Sequence, residues 1–147
     1  MRKHLVFLLA LCLAGALAAG CSASGRDVED VDVDLTAMSS IVARAKFYNI
    51  MENAADYLGN TIRARGEYFS FFIDEFGRYA HYVTIVEGDG ICCPPDGFEI
   101  KLTGDGVGPG DYPDQDTMIE VVGVLGRYEE QGQGYLYIAI DEITIRN

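Results

Sequence analysis

At Gly59 the apolar pattern of the chain changes period, and that change constrains the fold more than any other feature. Before it, Ile41, Ala45, Tyr48, Met51, Ala55 and Leu58 recur at spacings of three and four, which places them on one face of a helix. Ser39 or Ser40 can cap its start and Gly59 suits its stop, so the stripe is expected to pack on a core. After Gly59 the period is two, as in strands with one buried face. Thr61 to Ile73 is rich in β-branched and aromatic residues, and Asp74-Glu75-Phe76-Gly77 can turn. Further strands are expected over Arg78 to Val86, Phe98 to Leu102, Met118 to Tyr128 and Tyr135 to Ile145. Between them lie Glu87-Gly88-Asp89-Gly90, a Gly/Pro/Asp loop from Thr103 to Asp116, and Gln131-Gly132-Gln133-Gly134. Five strands with Gly-marked corners predict a mostly β domain, a small closed or nearly closed barrel preceded by one N-terminal helix.

The first twenty residues follow a different logic. Met1-Arg2-Lys3-His4 is a short basic start, and Leu5 to Leu17 is almost wholly apolar. That run is too short for a permanent membrane span and fits a signal peptide. It ends at Leu17-Ala18-Ala19-Gly20-Cys21, which resembles the bacterial lipobox, with Ala18 where Leu is commonest. The resemblance implies lipidation of Cys21 and removal of residues 1–20. The plain alternative is an ordinary secretory signal with a free Cys21. Two or three acyl chains hold stably where one holds marginally, so the expected location is the cell membrane, lipid-anchored, on the extracytoplasmic face.

Loss of residues 1–20 removes Arg2 and Lys3 and no acid, taking the formal charge from −12 to −14. Such a chain repels phosphates, so no nucleic-acid partner is expected. The mature part suits one domain. Residues 21–36 read as an acidic flexible tether, because Asp27-Val28-Glu29-Asp30-Val31-Asp32-Val33-Asp34 is too charged to bury. The same Asp/Val alternation could be an acidic edge strand or a metal-binding run. Residues 37–147 are the helix plus the barrel domain, expected as a monomer.

Gly59-Asn60-Thr61-Ile62-Arg63-Ala64-Arg65-Gly66-Glu67-Tyr68 resembles the opening strand of an OB-fold. Val121 to Tyr128 and Tyr135 to Ile140 resemble its fourth and fifth strands. Phe47-Tyr48-Asn49-Ile50-Met51, Asp56-Tyr57-Leu58-Gly59, and Cys92-Cys93 before Gly97-Phe98-Glu99 are together similar to a group of lipoproteins from anaerobic Gram-positive, clostridial-type bacteria. Their C-terminal OB-fold-like domain carries a Cys-Cys motif, and similar domains occur beside predicted permeases. The resemblance spans roughly residues 37 to 145 and implies a surface or periplasmic OB module. It brings no activity with it.

Cys92 and Cys93, followed by Pro94-Pro95, are the most unusual local feature. Three readings stand. A vicinal disulfide would be strained, because adjacent Cα atoms lie about 3.8 Å apart and ordinary bridges want more; strain makes such a bond easily reduced. A thiolate site could take a soft metal, or zinc with about two further donors; His81, the sole histidine of the mature chain, sits one strand back, and Asp96 and Glu99 are also near in sequence. The plain reading turns one thiol into the barrel and the other out. The acids of the Gly104 to Asp116 loop lack the EF-hand order and read as a solvated connection. With a single histidine and no Gly-x-Ser-x-Gly elbow, no enzyme is expected and no cofactor is called for. The expectation is a non-enzymatic OB-like binding or interaction module, partnered by the membrane through its anchor and by an envelope protein or permease. The alternative is a thiol-dependent metal-handling or redox protein using Cys92 and Cys93.

Overall fold

The computed structural model describes residues 30–86 and 96–146. Cys21, Cys92 and Cys93 lie outside them, so the readings attached to these thiols have no geometry here. The elements run β1 (Val33–Asp34), a 3-10 turn (Leu35–Ala37), α1 (Ser40–Glu52), a second 3-10 turn (Ala54–Asp56), β2 (Thr61–Ile73), β3 (Arg78–Val86), β4 (Asp96–Leu102), a third 3-10 turn (Pro109–Asp111), β5 (Met118–Glu130), β6 (Gln133–Ile140) and β7 (Thr144–Ile145). The domain is mostly β with one α-helix among the described residues.

Five strands form a ring. The first half of β2 pairs antiparallel with β5, Thr61 opposite Val124 through Glu67 opposite Met118. Its second half pairs antiparallel with β3, Tyr68 opposite Val83 through Ile73 opposite Arg78. β3 pairs with β4, β4 runs parallel to β6, and β6 returns to β5. One long strand can serve two neighbours because of Gly66, where β2 changes partner: a Cβ there would collide with the Thr84 carbonyl, so only glycine lets the strands approach.

Side-chain alternation then sorts the faces. Ile62, Ala64 and Tyr68 of β2, Val83 of β3, Phe98 and Ile100 of β4, Ile119, Val121 and Leu125 of β5, and Ile138 and Ile140 of β6 point inward, all nearly or wholly buried. A fully buried Ile, Leu or Phe contributes roughly 1.5–3 kcal/mol relative to exposure, so this interior dominates stability.

Three expectations need correction. The helix ends at Glu52, not Gly59, and its buried residues are Phe47 and Ile50. Ile41, Ala45, Tyr48, Met51, Ala55 and Leu58 are instead exposed. Both helical faces are apolar, and Phe47 wins because its ring meets Phe98 edge-on at 5.0 Å. Ser39 occupies the cap position but its side chain makes no capping bond. Second, the tether expected through residue 36 is folded at its end: Val33 and Leu35 are 5 % and 4 % exposed, and β1 pairs parallel with Ile62–Arg63. The Asp34 side chain accepts from the Thr36 hydroxyl at 2.6 Å, from the Thr36 and Ala37 amides and from Arg63 Nη1 at 3.1 Å, and these hold its carboxyl below its usual range against the cost of burial. The Asp/Val alternation there is thus an edge strand. Third, Tyr135 to Ile145 is two strands. β6 ends at Ile140, and β7 pairs with β5 at Ile119 and Glu120, where Glu120 binds Arg65 and Arg146.

No helix of the described residues is long and apolar enough to cross a membrane.

Candidate functional site

β3 and β4 are paired only from Tyr82 and Glu99 toward Val86 and Asp96. On the other side of that point β3 stays with β2, whereas β4 stays with β6 as far as Leu102. The two strands part, and a cleft of about 430 Å³ lies between Arg78–His81 on one side and Glu99–Leu102 on the other. The loop after β4 roofs it with Val107, Gly108, Pro109 and Tyr112.

The inner wall is aromatic. His81 stacks on Tyr112 with centroids 3.6 Å apart and planes 5° from parallel. Its Nδ1 lies 2.7 Å from the Tyr68 hydroxyl. Burial, aided by the nearby Arg78 charge and opposed by Glu99, pushes the imidazole pKa below its usual value, which favours the neutral ring. The Tyr112 hydroxyl accepts from the Leu102 amide at 3.2 Å. The loop is therefore pinned to β4 at the roof of the cleft. Tyr79, 55 % exposed, forms the rim.

The outer wall is a charged network on the outward side of the ring. Glu99 is only 4 % exposed, although it stands opposite Tyr82 on that side. Arg78 donates to Glu99 Oε1 at 3.0 Å, to Glu130 Oε2 at 2.8 Å, and to the Tyr128 hydroxyl. Tyr128 in turn donates to the other Glu99 oxygen. The Lys101 ammonium lies 3.7 Å from Glu99 Oε1 and 3.2 Å over the Tyr128 ring centroid. Gly126 makes room for the Tyr137 ring, which a Cβ would meet, and that ring lies 4.9 Å from the same ammonium.

The charges respond accordingly. The bond to Glu130, then the fields of Glu99, Tyr128 and Glu130, raise the Arg78 pKa despite burial. Burial and the Glu99 bond raise that of Tyr128. Burial lowers that of Lys101 against the pull of Glu99 and Glu130. Glu130 is held low by Arg78.

Beside this network lies an aromatic sheet face. Phe69, Phe71 and Tyr82 stack within 18° of parallel at 5.0–6.0 Å. Tyr128 and Tyr135 stack at 5.4 Å. The β2–β3 and β5–β6 turns meet at one edge, where Phe76 packs edge-on against Tyr135. Gln131 and Gly132 turn with φ of 52° and 81°, the left-handed pair of a tight hairpin.

Of the residues the sequence singled out, His81 and Glu99 line the cleft, and Asp96 bonds Tyr48 on α1 at 2.8 Å. No cluster of three or more His, Cys, Asp or Glu that could hold a metal occurs among the described residues; Cys92 and Cys93 lie outside them. Arg78, Lys101, Tyr112, Tyr128 and Glu130 were not singled out from the sequence. Their one signal is charge at alternate strand positions beside aromatics, as in Phe98-Glu99-Ile100-Lys101. Compared with known proteins, the chain matches no family model, no curated protein and no solved structure.

Proposed function

We propose that this chain is a lipid-anchored, extracytoplasmic, non-enzymatic binding module whose ligand enters the cleft between β3 and β4. The observation that carries it is the parting of two neighbouring strands beneath a pinned loop, with one wall aromatic and the other a satisfied ion network. The five-strand ring supports reading the domain as an OB-like barrel. β2, β3 and β4 form its antiparallel meander, β4 pairs parallel with β6, and β2 closes on β5. In that fold the outer face of the second and third strands, between the first and last hairpin turns, takes oligomeric ligands. Here that face is β3 and β4, between the Asp74–Gly77 and Gln131–Gly132 turns.

The wall chemistry suits an uncharged, hydroxyl-rich ligand such as a sugar unit. Arg78 and Lys101 are already neutralised by Glu99 and Glu130, so the cleft offers directed hydrogen bonds without a net charge. Tyr79 and Tyr112 offer flat rings for a ligand's apolar face. The surplus of acids disfavours an anionic polymer. A panel of oligosaccharides titrated into the purified domain, followed by chemical-shift changes at Tyr79, His81, Lys101 and Tyr112, tests this. Saturable shifts confined to these residues, weakened at least about tenfold by Tyr79→Ala, are expected. A full panel with no shift at any cleft residue contradicts the reading.

A further inference from the structure

α1 turns Phe47 and Ile50 onto the core and leaves Ile41, Val42, Met51 and Tyr48 80, 53, 44 and 37 % exposed. On this thirteen-residue helix the described residues leave that apolar surface uncovered, Tyr48 alone reaching back through its hydroxyl to Asp96. Its place in the chain says what that partner is. Only residues 22–29 separate Cys21 from Asp30, where the described structure begins. Eight residues reach about 30 Å at full extension. β1 and the Leu35–Ala37 turn then lead directly into α1. Whatever Cys21 is fixed to, α1 is the first long described element that follows it along the chain.

α1 carries Arg44 and Lys46 against Glu52; Lys46 is turned to the Tyr57 hydroxyl at 2.9 Å, which leaves Arg44 as the cation of the exposed side. The Arg44 guanidinium lies 5.9 Å from the Tyr48 ring centroid, so a basic head and an amphipathic ring share the exposed side. Aliphatic residues, an interfacial tyrosine and a basic head are the components of a helix lying in a bilayer interface.

We propose that the outer side of α1 is a second membrane contact, with Ile41 and Met51 entering the headgroup–acyl boundary, Tyr48 at headgroup level and Arg44 reaching lipid phosphate. The proposal rests on the lipoprotein reading of Cys21. The tether keeps the helix at high local concentration near the bilayer, so a contact too weak to recruit a free protein suffices. The contact also sets orientation. β4 runs from Asp96, bonded to Tyr48 of α1, to Leu102, bonded to Tyr112 of the cleft roof. Its seven residues put about 20 Å between the helix and the cleft, so the cleft opens away from the lipid.

The chain contains no tryptophan, so one introduced residue reports alone. The mature acylated protein carrying Ile41→Trp is reconstituted into phosphatidylcholine vesicles with acyl-chain-brominated lipid, and a chain carrying Val107→Trp on the cleft loop is treated alike. Emission from Ile41→Trp is expected to fall at least about twofold, and that from Val107→Trp to stay unchanged. Adding Ala45→Glu and Met51→Glu should restore the Ile41→Trp emission while the protein stays with the vesicles. Met51→Trp serves as a second reporter. No quenching at either helix position, in a chain whose mass shows the acyl group, overturns the proposal and leaves the anchor reading intact. A blue shift without bromine quenching also overturns it, in favour of a protein partner or a second copy. A chain that carries no acyl group overturns both.

Discussion

Glu99 occupies a strand position that would ordinarily face water, yet it is 4 % exposed beneath Arg78, Lys101 and Tyr128. A buried carboxylate with three partners is costly to disturb, because removing it takes the acceptor from the Tyr128 hydroxyl and the counter-charge from Lys101, and leaves Arg78 with the Glu130 carboxylate. Glu99→Ala should therefore destabilise the domain by about 3 kcal/mol, seen as a lower urea midpoint at unchanged m-value. His81 makes a different prediction. Its folded pKa lies below the ordinary 6.5, so as pH falls below 6.5 the unfolded imidazole takes a proton before the folded one does. Stability is fully present above that pH and declines below it, until the folded pKa is passed. His81→Phe keeps a ring for Tyr112 to stack on and removes the titration. It should flatten the stability profile just below about pH 6.5 while leaving the steeper acid loss from Asp34, Glu120 and Glu130, whose pKa values are all lowered. An unchanged profile would mean that the imidazole keeps its ordinary pKa.

At the scale of elements, the strands were legible and the helix face was not. β2 and β3 begin and end where alternation and the Asp74–Gly77 turn place them, because a period of two admits one inward set and the turn pins the register. α1 is apolar on both sides. Ile41, Ala45, Tyr48 and Met51 form one stripe, and Ala43, Phe47, Ile50 and Ala54 another with equally good spacing. Periodicity cannot choose between them; the large Phe47 ring against Phe98 does. Phe47→Ala should cost about 3–5 kcal/mol and Ile41→Ala less than about 0.5 kcal/mol in the protein free of lipid. Leu35 belongs with Phe47. The acids around it suggested a solvated tether, but a side chain 4 % exposed is core. Leu35→Ala should lower stability by about 2–4 kcal/mol, where a tether residue would change nothing; thermal and urea unfolding both measure it.

At the scale of the molecule, the cleft could not be read along the chain because its walls come together only through topology. Arg78, Glu99, Lys101, Tyr112, Tyr128 and Glu130 come from three strands and the loop after β4, and the parallel pairing of β4 with β6, itself paired with β5, gathers them. Local alternation carries no trace of that pairing. His81 was legible as the lone histidine of the mature chain on an expected strand, and its stack on Tyr112 was not, since the loop that supplies Tyr112 has no period. What the fold itself places is α1 at one end of β4 and the cleft at the other, one strand length apart; the tether to a bilayer is the proposal added to it.

That arrangement depends first on the fate of Cys21, and intact mass of the protein recovered from the envelope of its native host reads it directly. The account predicts a chain beginning at Cys21 whose mass exceeds the polypeptide by a diacylglyceryl group, with Cys21→Ser abolishing the increment. A mature chain that begins elsewhere, or a Cys21 that carries no lipid, would contradict it.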